Sequence, residues 1–353
     1  VSATAFLLVV ELIVRRSAAT LDAYCIDSVA DRFERLVAYR PEPKILILGS
    51  SRAKFGLAPE VFERMTGYST YNLGIAASIV YEWRTVARRA LQQVDPELIV
   101  IGINGRELRS DSLPIRGASQ FFEFEDVWDY SLHQQWSNEL IDYYCSYQVM
   151  AGLAIWDRSD QLRMWLNESV LHGVFPKHAQ LARERRALND RDLPADGFDH
   201  PWRVTHSKRT LPDLVAAWGE DYLQPPPVPV FDEDDEAVQI LSDWLAELRA
   251  ANKQVVLCYI PNSPRTEAAW RRREPQFIET IASIARRHDV PFLDASMTTF
   301  PRTDADFIDD THVGVPLAKR ISARAAEHLI RLGMVDVQAL HLAGNLEMEA
   351  PGE

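Results

Sequence analysis

The sequence predicts a three-layer α/β/α sandwich around a parallel sheet of about five strands, interrupted by a helical insertion. Three observations predict it. Short apolar-rich runs recur at Ile45–Leu48, Glu97–Ile103 and Gln254–Ile260, as in strands buried on both faces. Amphipathic helical spacing fills the stretches that follow them, so strand and helix alternate. Alternation of this kind, joined by right-handed crossovers, builds a parallel sheet.

The elements follow in order. Residues 1–40 hold an apolar segment and a helix. Ala3 to Val14 is apolar except for Glu11, and Arg15-Arg16 follows. A membrane span needs roughly 20 residues, so the segment is short as it stands. It reads as the tail of a membrane anchor, with a signal-peptide core or a docked amphipathic helix as alternatives. The two arginines follow the apolar run rather than precede it, which suits the positive-inside rule poorly. Leu21 to Tyr39 is a predicted helix with Ile26, Val29, Phe33 and Leu36 on one face, ended by Pro41 and Pro43.

Residues 41–105 form the first part of the sheet domain. Ile45–Leu48 runs into Gly49-Ser50-Ser51-Arg52, a small-residue turn at the carboxyl end of a strand, where open α/β sheets keep their chemistry. Pro59-Glu60 opens a helix that Gly67 stops. Tyr68–Leu73 is a short strand ending in Asn72-Leu73-Gly74. Ile79, Val80, Trp83, Val86, Ala87, Ala90 and Leu91 make a helical face before Asp95-Pro96 breaks it. Glu97–Ile103 then ends at Asn104-Gly105.

Across 106–230 the alternation dissolves. Aromatic residues (Phe121, Phe122, Trp128, Trp136, Tyr143, Tyr144) and charged helical pieces around Leu181 to Leu188 read as an insertion, partly a lid. Its aromatic residues suit core packing or carbohydrate stacking. Pro225-Pro226-Pro227 reads as a stiff connector. The sheet domain resumes over 231–335. Asp232–Glu236 places negative charge at a helix N-terminus, and Ala237, Val238, Ile240, Leu241, Trp244, Leu245 and Leu248 form the helix face. Strands at Gln254–Ile260 and Pro291–Asp294 follow, then a loop at Asp304–His312. A closing helix begins near Pro316 and ends at Gly333. Residues 336–353 read as a loosely ordered tail.

Composition narrows the function. Hydrophobic content of 47% and charged content of 25% belong to a globular protein. A net charge of -13, with no basic cluster interleaved with aromatics, excludes a nucleic-acid surface. Cys25, Cys145 and Cys258 lie far apart and make neither a zinc motif nor a disulfide framework. Cys258, in an apolar run, reads as a small core residue. His133, His172, His178, His200 and His206 lie in the insertion. His172 and His178 lack the spacing of a short helical pair of metal ligands, so no metal is expected.

Four pieces carry the chemistry: Gly49-Ser50-Ser51-Arg52, Asn72-Leu73-Gly74, Gly102-Ile103-Asn104 and Asp309-Asp310-Thr311-His312. Each falls at a strand's carboxyl end or before the last helix. In this order they resemble the SGNH hydrolase superfamily, the GDSL-like esterases, over residues 44–104 and 233–333. The resemblance implies a flavodoxin-like sheet and a serine nucleophile at Ser51. It implies His312 as general base and Asp309 as the carboxylate that holds the imidazole in one tautomer. Ser51 N–H, Gly74 N–H and the Asn104 amide are its implied oxyanion donors. No cofactor is implied.

The pattern departs from the family in places. Ser50 stands where Gly-Asp-Ser-Leu has Asp, and Arg52 where it has Leu. No acidic residue adjoins Asn104, and Val313-Gly314 replaces the more usual Leu-Asn. Gly-Ser-Ser-Arg resembles a membrane-associated branch linked to acyl groups on cell-surface polysaccharides. That resemblance implies an esterase or O-acyltransferase for an acyl group, acetyl above all, on a surface or exported carbohydrate or a small ester. With the anchor reading it implies a membrane-anchored, extracytoplasmic protein (periplasmic or extracellular) working with a membrane acyl donor. Arg52 has two readings: a structural ion pair, or a group that orients an anionic substrate. An α/β-hydrolase elbow fits less well, because Gly49-Ser50-Ser51-Arg52-Ala53 matches Gly-x-Ser-x-Gly only in part. The rival of another class is an idle SGNH-like module that binds glycan or helps assemble an export complex.

Overall fold

A computed structural model describes residues 3–17, 29–76, 78–108, 159–170, 210–218, 236–273, 275–295 and 301–336, with isolated positions between 121 and 183. In chain order the elements are α1 (Ala3–Arg16), α2 (Val29–Ala38), β1 (Ile45–Gly49), α3 (Ser51–Gly56), α4 (Pro59–Thr66), β2 (Thr70–Asn72), α5 (Val80–Ala90) and β3 (Leu98–Ile103). After these come α6 (Ser159–Ser169), α7 (Leu211–Trp218), α8 (Glu236–Ala250), β4 (Gln254–Tyr259), α9 (Pro264–Arg273), α10 (Phe277–Arg287), β5 (Phe292–Asp294) and α11 (Val315–Arg331).

Two compact units divide the chain. One comprises residues 1–32 and 113–194, the other 33–112 and 195–353. The second of these units includes α7, which lies in the stretch 106–230 read from the sequence as an insertion. The aromatics Phe122, Trp128, Trp136, Tyr143 and Tyr144, the five insertion histidines, Cys25, Cys145, the acidic run 232–235 and the tail from 337 lie outside the described residues.

In the sheet unit all five strands pair in parallel, in the order β2-β1-β3-β4-β5. This is the flavodoxin-like order, whose direction of winding reverses between β1 and β3. The crevice outside those two carboxyl ends is therefore the natural ligand position. Helices α3, α4 and α11 cover one face, and α5, α8 and α10 the other, completing the three layers. Helices on both faces explain the unbroken apolar runs. Ile45, Leu46, Ile47 and Leu48 are all buried, each contributing about 1.5–3 kcal/mol relative to exposure.

One element differs from expectation. The stretch after β1 is not a simple turn but the six-residue helix α3, beginning at Ser51. Ser50 caps it, its Oγ accepting from Arg52 N–H at 3.2 Å. At the other end the Asn72 amide donates to Ala53 O at 3.0 Å and Leu57 O at 2.7 Å. The same Asn72 accepts from Gly74 N–H at 2.9 Å through Oδ1. Glycine is needed at 49, where φ is +136° and a Cβ would lie 2.3 Å from Gly102 O. It is needed at 74 too, where a Cβ would lie 2.6 Å from Lys54 N.

Asn72 is fully buried, and its replacement takes the amide partner from Leu57 O and Gly74 N–H, while Ala53 O keeps the N–H of Leu57. Asn72→Ala should cost at least ~2 kcal/mol, since each buried group left unsatisfied costs about 1–3 kcal/mol. Urea unfolding checks this, and an unchanged midpoint would show that water replaces the amide at no cost.

In the other unit, α1 is a helix of 14 residues. Leu8, Val9, Leu12 and Ile13 are exposed along it, while Val14 is buried and Glu11 pairs with Arg15. Among the described residues no helix is long and apolar enough to cross a membrane.

Candidate active site

Three of the sequence-predicted residues meet in one chain of hydrogen bonds. His312 Nδ1 lies 2.7 Å from Asp309 Oδ2, and His312 Nε2 lies 2.8 Å from Ser51 Oγ. A carboxylate accepts only, so Nδ1 carries the proton and donates to Asp309. Nε2 is then the acceptor, and the Ser51 hydroxyl donates to it. The two partners are 261 positions apart in sequence.

Local structure explains the placement. Ser51 opens α3 directly after β1, beside the reversal of winding. Asp309–His312 forms the tip of a loop pinched by the antiparallel bridge between Phe307 and Val313. Ile308 N–H donates to His312 O at 2.9 Å, and Gly314 N–H to Asp306 O at 2.7 Å. Ser263 N–H donates to Asp310 O at 3.0 Å, fastening this loop to the one after β4. Phe55 packs edge-on against the imidazole with ring centroids 5.3 Å apart. The ring is thereby held in position by packing and by the loop's own hydrogen bonds.

Asp309 is well supplied with donors. Its Oδ1 accepts from Thr311 N–H and His312 N–H, each at 2.8 Å, and from Thr311 Oγ at 3.1 Å. Burial by itself raises the Asp309 pKa. The His312 charge and the hydrogen bonds from the ring and the two backbone N–H groups outweigh it, holding the carboxyl well below the usual carboxylate range. A depressed folded-state pKa stabilises the fold above the unfolded value of about 3.9, and that contribution fades as pH falls toward the folded value. Acid titration of stability below about pH 4 should therefore be shallower in Asp309→Asn than in the native chain. Urea midpoints measured at several pH values check this, and parallel curves would contradict it.

The expected oxyanion donors are placed less uniformly. Ser51 is the first residue of α3, so its N–H has no acceptor within the helix. Asn104 is fully buried, and its Nδ2 donates to Ile260 O at 2.8 Å. Gly74 N–H donates to Asn72 Oδ1, within its own loop. Arg52 takes the structural one of its two readings. Its side chain is 5% exposed and pairs with Glu107 at 2.8 Å.

Glu107 is the residue that sequence reasoning missed. It sits in a 3-10 turn, Gly105–Leu108, just beyond β3. Its carboxylate meets Ser50, Arg52 and the backbone of Asn104. The available signal was the acidic residue three places after Asn104, in a chain lacking one beside it.

Cys258 is not part of the site. It is a buried free thiol on β4, and burial, aided by the Asp294 charge, pushes it up to about 12. Among the described residues, no group of three or more His, Cys, Asp or Glu side chains could hold a metal ion. Comparison with protein-family models finds none that matches the chain, and comparison with curated proteins finds no match either.

Proposed function

We propose that this chain is an SGNH-type serine esterase or O-acyltransferase that works through a Ser51 acyl-enzyme. The observation that carries the reading is the unbroken hydrogen-bonded series Ser51, His312, Asp309 at the carboxyl rim of the sheet. A serine is a weak nucleophile unless a base is in reach, and here an oriented imidazole is.

The steps follow from that geometry. Ser51 Oγ bonds to the ester carbonyl carbon while His312 Nε2 takes its proton, and the carbonyl π pair moves onto oxygen. Collapse of the tetrahedral intermediate breaks the bond to the alcohol, which leaves with the proton from Nε2. Water or an acceptor alcohol then attacks the acyl-enzyme, giving its proton to Nε2, and Ser51 leaves reprotonated. Asp309 stays ionised throughout and stabilises the imidazolium. Hydrolase and transferase share every residue and differ only in the second nucleophile.

The proposed substrate is an O-acyl group, acetyl foremost, on a surface or exported polysaccharide. Support for the substrate and for an extracytoplasmic site beside an acyl donor comes from the Gly-Ser-Ser-Arg resemblance alone, while the exposed apolar residues of α1 suit contact with a membrane surface. One observation favours the second reading, an idle glycan-binding or export-assembly module: Gly74 N–H is engaged by Asn72 rather than left for an oxyanion.

Chemistry separates the two readings. The protein should hydrolyse p-nitrophenyl acetate and take up a fluorophosphonate probe on Ser51, located by peptide mass spectrometry. An inert, unlabelled protein supports the binding module.

A further inference from the structure

We propose that Glu107 is a positioning residue that clamps the nucleophile's loop to the Asn104 loop and so sets the attack geometry of Ser51. The inference rests on the proposed role of Ser51 as nucleophile, and nothing in the sequence motifs assigns Glu107 a part.

The carboxylate is 2% exposed and spans two strand ends. Its Oε1 accepts from the Ser50 hydroxyl at 2.5 Å and from Arg52 Nη1 at 2.8 Å. Its Oε2 accepts from Asn104 N–H at 2.9 Å. Ser50 and Arg52 are the two neighbours of Ser51 in the chain, so both sides of the nucleophile are tied to one rigid group. Ser50 Oγ, oriented by this bond, also caps the helix that Ser51 begins. β1 and β3 are paired as far as Gly49 and Gly102, and beyond that pair their loops diverge. Glu107 bridges the gap where the ladder stops.

Charge makes the clamp stiff. A carboxylate facing a guanidinium in a water-poor setting forms short, charge-assisted hydrogen bonds. Among the described residues, the buried Nε and Nη2 atoms of Arg52 meet no hydrogen-bond partner. Glu107 therefore supplies the hydrogen bond that fixes this guanidinium. Glutamine in its place offers one acceptor oxygen where two are used, and its NH₂ faces a donor or the cation. The expected result is a small displacement of Ser51 relative to His312. Misplacement of about 1 Å can cost about 100-fold in rate.

The test uses Glu107→Gln in the full chain. Its kcat toward p-nitrophenyl acetate should fall about 10–100-fold, with KM changed less than about twofold, since ground-state binding is untouched. Labelling of Ser51 by the fluorophosphonate should slow in parallel. Wild-type kcat per folded molecule, with only a lowered thermal midpoint, overturns the proposal. Should Glu107→Gln fail to fold, Ser50→Ala removes one bond of the clamp. A drop in kcat of about 3–10-fold is expected there, and an unchanged kcat overturns the proposal. An inert wild type would sink the esterase reading instead. The clamp is then judged from crystal structures, where Ser51 Oγ and His312 Nε2 should separate beyond about 3.5 Å in the variant. Unaltered geometry there refutes it without reference to turnover.

Discussion

Ser51→Ala should lower turnover of p-nitrophenyl acetate by at least ~10⁴-fold, the scale on which losing the nucleophile of a serine triad is felt. The fold should not suffer. Ser51 is half-buried, and its hydroxyl bonds to His312 rather than to the core. Its loss creates no large cavity and strands no fully buried group. The thermal midpoint should stay within about 2 °C, as for a substitution outside the destabilising classes. His312→Ala should cost a similar factor. The double variant should be no slower than either single one, because residues acting as a unit are not additive. Initial rates on all three proteins, with calorimetry, decide the matter. Retained turnover in Ser51→Ala would remove the nucleophile and the acyl-enzyme with it.

The largest stability effect should come from Glu267→Ala. Glu267 and Arg302 form an ion pair at 2.6 Å in which both side chains are fully buried. The guanidinium also donates to Asn262 O at 3.3 Å and Ala295 O at 3.2 Å, tying the loops after β4 and β5. Removing Glu267 takes this carboxylate from Arg302 and also from Arg271, whose Nη2 lies 3.4 Å from it, and breaking a buried pair in that way costs about 3–5 kcal/mol. Replacing both partners together is a different experiment. Glu267→Leu with Arg302→Met removes both buried charges, leaves the part-exposed Arg271 to solvent, and should recover most of the loss, because well-packed apolar substitutes for buried pairs are often neutral or better. Urea unfolding of the single and double variants reads both effects. A single variant within about 1 kcal/mol of the native chain would show that water or a neighbour compensates the cation.

Much of the fold was legible because the physics is local. Leu98–Ile103 could be read as a doubly buried strand from its own residues, and all six are buried. Proline and glycine likewise marked α4, with Pro59 at its start and Gly67 at φ 70° at its end. The positions of Ser51, Asp309 and His312 were legible from a resemblance in their order, which no local pattern supplies. What escaped was structure held by distant partners. The end of helix α3 is tied by the Asn72 amide, nearly twenty positions beyond Ala53, which donates to Ala53 O and Leu57 O. Glu107 acts on residues 55 and 57 positions away. The buried pair of Glu267 and Arg302 looks in sequence like two ordinary surface charges. Periodicity reports which face of an element is buried, but not which polar group waits across the interface.

The separation of Ser51 from His312 has a bearing on biosynthesis. During translation the segment bearing the hydroxyl emerges long before the one bearing the imidazole. Helix α11 must also dock, since Ser322 on it accepts the N–H of Ala58 at 2.7 Å. A ribosome-bound intermediate thus holds an ordinary, unactivated alcohol. On the proposed esterase reading, Ser51 gains its base only after the segment bearing His312 has joined the sheet unit, so a partly made chain would carry the alcohol without the imidazole.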